Sequence, residues 1–163
     1  MVILIVMIAG LLATIIDVRT RRVPNLLTMA LAAAGALLSL IGGGNVTFGA
    51  SVAGCALGLA LMLPGHIFGA TGAGDVKLLA AFGTLLGPAG ILAAFIRTAI
   101  VGGIIAMIVA TARGRVRATV AGTAGLIMTG GATATVIKDP AVNNRFPYAA
   151  AIAIGTALVA VGW

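Results

Sequence analysis

Gly72-Ala73-Gly74-Asp75-Val76-Lys77, running directly into Leu78-Leu79-Ala80-Ala81-Phe82, sets a carboxylate behind two glycines at the edge of an apolar run. Acidic residues are scarce throughout the chain: Asp17, Asp75 and Asp139 are the only ones, and there is no Glu. Of the 163 residues, 61% are hydrophobic and 8% charged, with a mean hydropathy of +1.24. A soluble domain carries about 25% charged residues, so this chain lacks the polar surface to face water on all sides. The bilayer is the solvent that fits. Inside it every backbone polar group must be satisfied internally, which leaves helices or a closed barrel. Long apolar runs without two-residue alternation select helices. The expected fold is an all-α integral membrane protein, a single membrane-embedded domain over 1–163.

Outward from Asp75, the apolar segments read as six spans. Met1 to Ile16 is the first, and Asp17-Val18-Arg19-Thr20-Arg21-Arg22 is its charged exit. Pro24 opens the second, which runs to Ile41, because a proline at a helix start gives up a donor that has no partner anyway. Gly42-Gly43-Gly44-Asn45 is an uncharged turn, and a third span covers Phe48 to Leu63, stopping at Pro64-Gly65. His66 to Gly74 reads as a glycine-rich loop. A helix from Asp75 to Leu86 breaks at Gly87-Pro88; at about 18 Å it is too short to cross ~30 Å of hydrocarbon alone. Ala89 to Thr111 is the fifth span and Phe146 to Trp163 the last, with Trp163 suited to the interface. Ala118 to Ile137, rich in Gly and Thr, reads as a loop with an interfacial helix.

This topology sorts the charge. Arg19, Arg21, Arg22, Lys77, Arg113, Arg115, Arg117, Lys138 and Arg145, nine of the ten basic residues, fall on one side, which the positive-inside rule makes cytoplasmic. Both termini then point outward. The net charge of +7 reports membrane orientation, and no nucleic-acid partner is expected. Arg97 is the exception, inside the fifth span, where an Arg costs ~2.5 kcal/mol or more at the helix centre. It either snorkels toward the outer interface or pairs within the bundle. Cys55, the one cysteine, excludes an internal disulfide or a CxxC site and reads as a small packing residue. No metal or cofactor is expected.

The same topology sets Asp17 and Asp75 at one membrane level. Two carboxylates near an apolar boundary do not both ionise easily, so such a pair holds one proton at working pH. That suits aspartic-peptidase chemistry. A charged Asp takes a proton from water, and its protonated partner supports the developing oxyanion and then protonates the leaving amine. Gly72 and Gly74 either permit unusual backbone geometry and close approach of another chain, or form a turn with Asp75 capping the next helix. Lys77 either tunes or pairs with Asp75, or anchors the helix at lipid headgroups. Asn25 either bonds near the site or simply starts a helix. Asp139, before Pro140, reads as a turn residue.

Three segments together resemble the type IV prepilin peptidases. Gly72-Ala73-Gly74-Asp75-Val76-Lys77-Leu78-Leu79 resembles that family's GxGD signature. Asp17, with Arg21-Arg22-Val23-Pro24-Asn25-Leu26-Leu27-Thr28, resembles its first catalytic Asp and downstream Pro-Asn. Arg145-Phe146-Pro147-Tyr148-Ala149-Ala150-Ala151-Ile152-Ala153-Ile154-Gly155 resembles its C-terminal Pro-Tyr segment. A lone GxGD is weakly specific; three matches in family order are specific.

The resemblance implies a membrane aspartic endopeptidase that removes the short basic leader of prepilins at the cytoplasmic face, with Asp17 and Asp75 as its catalytic residues. It implies a multi-pass protein of the cytoplasmic (inner) membrane acting in pilus biogenesis. The partners it implies are the lipid bilayer and a prepilin bearing an apolar N-terminal helix. The size resembles the short peptidases of tight-adherence (Flp-type) pili and also archaeal preflagellin peptidases. Paired cysteines of a leader-methylating portion are absent, so methylation is not implied. Because the cytoplasmic face is basic like the leader, recognition is expected to rest on the apolar helix and a small residue at the cut site. Two other classes compete: a small ion or solute transporter, which would show a repeat of discontinuous helices, and a non-catalytic membrane assembly subunit.

Overall fold

A computed structural model describes residues 1–20, 22–68, 71–112 and 148–162. Among the described residues there are five helices: α1 (Val2–Thr20), α2 (Asn25–Leu40), α3 (Phe48–Ile67), α4 (Ala73–Ala112) and α5 (Tyr148–Val161). Three of them, α1, α3 and α4, are long and apolar enough to cross a membrane. Large apolar side chains stand exposed along all five, among them Leu4, Leu11, Leu26, Met29, Val52, Ile100 and Leu158. Such surface is tolerable only in lipid, so this is a helical membrane protein. The segments 118–137 and 138–145, including Asp139, lie outside the described residues, as does Trp163.

Helix boundaries follow local chemistry. Pro24 sits at the N-cap of α2 with φ −63° and ψ 136°. At the other end Gly42 takes a left-handed conformation (φ 71°), and the Gly43 and Gly44 amides both return to Leu38 O. This is how a glycine just past a helix satisfies its last carbonyls. The Thr47 hydroxyl accepts the Ala50 N–H at 3.3 Å and caps α3. The expected break at Gly87-Pro88 is present: Gly87 has φ 67° and ψ −177° inside α4, a left-handed φ open to glycine and costly for other residues. It divides α4 into limbs 73–86 and 88–112.

Three expected boundaries move. Helix α1 continues past Ile16 to Thr20, because the Asp17 carboxylate is buried rather than at a solvated exit. Helix α3 runs through Pro64 to Ile67; proline removes a single backbone donor there, and the Phe68 amide resumes the ladder on Pro64 O. Helix α4 begins at Ala73, two residues before Asp75. The glycine-rich loop is correspondingly shorter, and His66 Nδ1 lies 3.1 Å from Thr71 O across it.

The first limb of α4 is the centre of the bundle. Residues Leu78 to Leu86 are buried on every side, Phe82 completely, as expected of a helix apolar all round. Being surrounded by protein, this limb need not match the bilayer thickness, which accounts for its shortness. Helices α2 and α3 cover it, the second limb packs on α5, and α1 packs chiefly on α5 rather than on its neighbour α2. Where α1 and α2 do meet, Ile5, Ile8 and Leu12 face Leu27, Leu31 and Ala34 across an apolar groove.

Small residues set the crossings. A Cβ on Gly54 would run into Gly83 O, one on Gly58 would lie 2.9 Å from the Ala80 Cα, and one on Gly155 would collide with Thr98. Close backbone approach of this kind is how membrane helices gain packing where lipid supplies no hydrophobic drive. The registers make α3 antiparallel to the first limb (Gly54 with Gly83, Gly58 with Ala80). They make α2 parallel to it (Asn25 with Lys77, Gly35 with Thr84) and α5 antiparallel to the second limb (Tyr148 with Gly102, Gly155 with Thr98).

Candidate active site

The end of α1 and the starts of α2, α4 and α5 meet at one end of the bundle. Asp17 is the last member of the stripe Val2, Val6, Ala9, Gly10, Ala13, Asp17 that α1 buries. This spacing of three and four residues is one helix face. Asp17 is only 9% exposed, and the Ala149 backbone amide in the first turn of α5 lies beside its carboxylate. The free amides and the dipole of a helix N-terminus both favour an anion. Arg19 and Arg22 nearby are exposed.

Asp75 is half-buried in the first turn of α4. Its Oδ2 accepts the Gly72 N–H at 3.2 Å. With Gly72 at the cap position, this is the returning half of a capping box, the carboxylate three residues into the helix satisfying the cap amide. The capping alternative for the GxGD stretch therefore describes its local geometry, with the carboxylate one turn inside the helix rather than at the cap. The Asp17 charge is within electrostatic reach of Asp75, and Asp75 is within reach of the Tyr148 phenol. Thus α1, α4 and α5 converge on two carboxylates, Asp75 held by the Gly72 amide and Asp17 buried against the start of α5.

Neither glycine of the motif has a positive φ, so unusual backbone geometry is not what they supply. Gly74 supplies room: a Cβ there would lie 3.1 Å from Val23 Cβ and 3.3 Å from Val23 N. The chain that approaches Gly74 closely is the protein's own link between α1 and α2. Gly72 lies under the Asp75 carboxylate, where a Cβ would meet Oδ2 at 3.1 Å.

Lys77 and Asn25 come together. Lys77 Nζ donates to Asn25 Oδ1 at 2.9 Å, joining the first turn of α2 to that of α4 across 52 positions. With Val23 on Gly74, this makes a two-point clasp beside Asp75. Asn25→Ala and Lys77→Met are each expected to lower activity about fivefold, the worth of one hydrogen bond of ~1 kcal/mol. The double variant should lose no more than either single one, because the two share one bond. Turnover of the three proteins checks this.

The model of the type IV leader peptidase family matches residues 4–107. The chain belongs to that family. No curated protein and no solved structure matches it. The family match spans α1, α2, α3 and most of α4, including Asp17 and Gly72 to Asp75, and stops before α5. Leader peptidases act on protein substrates, so peptidase activity in a membrane setting is the family-level function. The Ala149 amide and Val23 enter the site unforeseen. Pro147 before an apolar run marks a helix start, and with it a source of free amides, but no sequence pattern pairs those amides with Asp17.

Proposed function

We propose that this leader peptidase is an aspartic endopeptidase of the cytoplasmic membrane, and that it removes the N-terminal leader of prepilins at the cytoplasmic face. Asp17 and Asp75 form its catalytic pair. The observation that carries the reading is the convergence of these two carboxylates at one end of the bundle, each beside the start of a helix. One proton is shared between them. The charged member takes a proton from a water, and the water attacks the scissile carbonyl. The protonated member hydrogen-bonds the oxyanion and then delivers its proton to the leaving amine. The Gly72 amide holds one oxygen of Asp75, which limits its motion while the water reacts. Gly72, Gly74, Lys77 and Asn25 position Asp75 and do not touch the substrate.

We read the two limbs of α4 as separate passes, giving six spans with both termini outside. The registers support this, since α5 is antiparallel both to α1 (Gly10 with Ala153) and to the second limb, while the first limb follows α2. The exposed Arg19, Arg22 and Lys77 cluster at the Asp end, in keeping with a cytoplasmic site. The substrate presents an apolar helix to the spans and its leader junction to the carboxylates.

The test uses the full chain in liposomes with a purified prepilin. A single cut just before the prepilin's apolar helix is expected, releasing the basic leader; an intact substrate contradicts the reading. In a Cys55→Ser background, Arg19→Cys should react with an impermeant maleimide only in inverted vesicles and Gly44→Cys only in right-side-out ones. The reverse pattern overturns the orientation.

A further inference from the structure

Arg97 lies well inside the second limb of α4, and nothing in the peptidase chemistry uses it. It is half-buried, and its Nη1 donates to Leu158 O in the last turn of α5, 61 positions away. Helix C-termini present unpaired carbonyls and a partial negative charge. The guanidinium therefore answers at one end of α5 what the Asp17 carboxylate answers at the other, where it lies beside the Ala149 amide. Between these ends α5 buries five small residues, Ala149, Ala151, Gly155, Thr156 and Ala160, and two larger ones, Ile152 and Val159. Gly155 sits on Thr98 and Ala153 on Gly10. With only two larger side chains among small ones, the face has few ridges to interlock along the helix axis. The polar ends therefore contribute to the axial position of α5.

We propose that Arg97 is a positioning residue: by gripping the C-terminal carbonyl of α5 it fixes that helix along its axis and so keeps the Ala149 amide beside the Asp17 carboxylate. A charge in this limb is costly in lipid, and charges within spans characteristically pair with each other or with backbone carbonyls. The proposal rests on the reading of Asp17 as catalytic for its effect on turnover, whereas its effect on α5 register stands apart from any activity.

The experiment reads both in the full-length protein in liposomes, in a Cys55→Ser background. A Cβ on Gly10 would lie 3.0 Å from Ala153 Cβ, so the pair Gly10→Cys with Ala153→Cys is within disulfide reach. Gly10→Cys with Ala157→Cys, one turn further along α5, reports sliding. With Arg97 present, oxidation should link 10 to 153 rapidly and 10 to 157 slowly. Arg97→Leu should slow the first link and speed the second, each by about fivefold. In the protein without added cysteines, Arg97→Leu should lower kcat about tenfold with KM nearly unchanged. Arg97→Lys should restore both cross-linking and kcat, and Arg97→Gln, which keeps a donor without the charge, should fall between. Should Arg97→Leu not fold, the Lys and Gln variants carry the comparison: equal cross-linking rates in wild type, Lys and Gln overturn the proposal. An unchanged cross-linking pattern in a folded Arg97→Leu overturns it even where cleavage is lost. If register shifts but no form of the protein cleaves prepilin, the peptidase reading fails and the positioning of α5 stands.

Discussion

Asp75→Asn is expected to fold, to keep the Gly72 amide bonded through the amide oxygen, and to cleave prepilin about 10³-fold more slowly or not at all. General acid–base catalysis by a positioned side chain contributes roughly 10²–10⁴ in rate, and Asn can neither take nor give the proton. The substitution removes no volume, and Asp75 is only half-buried, so loss of structure is a poor explanation for loss of turnover. Asp17→Asn should lose as much. Its environment is tighter, 9% exposed against the start of α5, yet Asn fills the same volume. Asp139→Asn should cleave at the wild-type rate. Initial rates at saturating substrate, with thermal unfolding in detergent as the check on folding, decide all three.

The largest structural effect is expected at the Gly54–Gly83 crossing. A Cβ on Gly83 would run into Gly54 O and lie 2.9 Å from the Cys55 amide nitrogen, and one on Gly54 would meet Gly83 O and lie 2.8 Å from the Gly87 backbone. The obstacles are backbone atoms, which cannot turn aside as a side chain does. Gly83→Ala should therefore part α3 from the central limb and cost about 1–3 kcal/mol, the range for overpacking a tight core. Gly83→Leu should leave no stable fold. Gly49, with nothing within 4 Å of its Cβ position, is the control: Gly49→Ala should be neutral or gain up to ~1 kcal/mol, since Ala suits a helix better than Gly. Unfolding temperatures of the purified variants measure the contrast.

Hydropathy alone identified a helical membrane protein, because an apolar excess of this size has no other solvent. Punctuation carried equal weight where it was strong: Gly42 ends α2, Thr47 begins α3, and Gly87-Pro88 breaks α4. Pro64 misled, since a proline late in a helix costs one bond and need not stop the chain. That Asp17 and Asp75 come to one end of the bundle was legible through topology. The burial of Asp17 was legible too, in the spacing from Val2 through Ala13 that continues to it, but the charges at Arg19 to Arg22 masked that signal by reading as a solvated exit. What no local pattern could supply is contact between distant elements. Examples are Val23 filling the room left by Gly74, Lys77 reaching Asn25, and α5 turning its first amide to α1 and its last carbonyl to Arg97.

The glycines of the GxGD stretch change meaning accordingly. Read as sequence, they invite a substrate backbone. In the fold, Gly74 admits the connector that carries α2, and Gly72 offers the amide that steadies Asp75. On the proposed function, the motif builds the acid's mounting and the substrate meets the carboxylates themselves.

The central claim is that Asp17 and Asp75 act as one unit, and the combined Asp17→Asn/Asp75→Asn protein tests it most directly against the two single variants. Groups that share one catalytic step are strongly non-additive. Measured as leader cleavage in liposomes, the double variant should be no slower than either single variant, all three lying about 10³-fold below wild type. Substantial cleavage by either single variant, or a double variant slower by the product of the two single losses, would contradict the account.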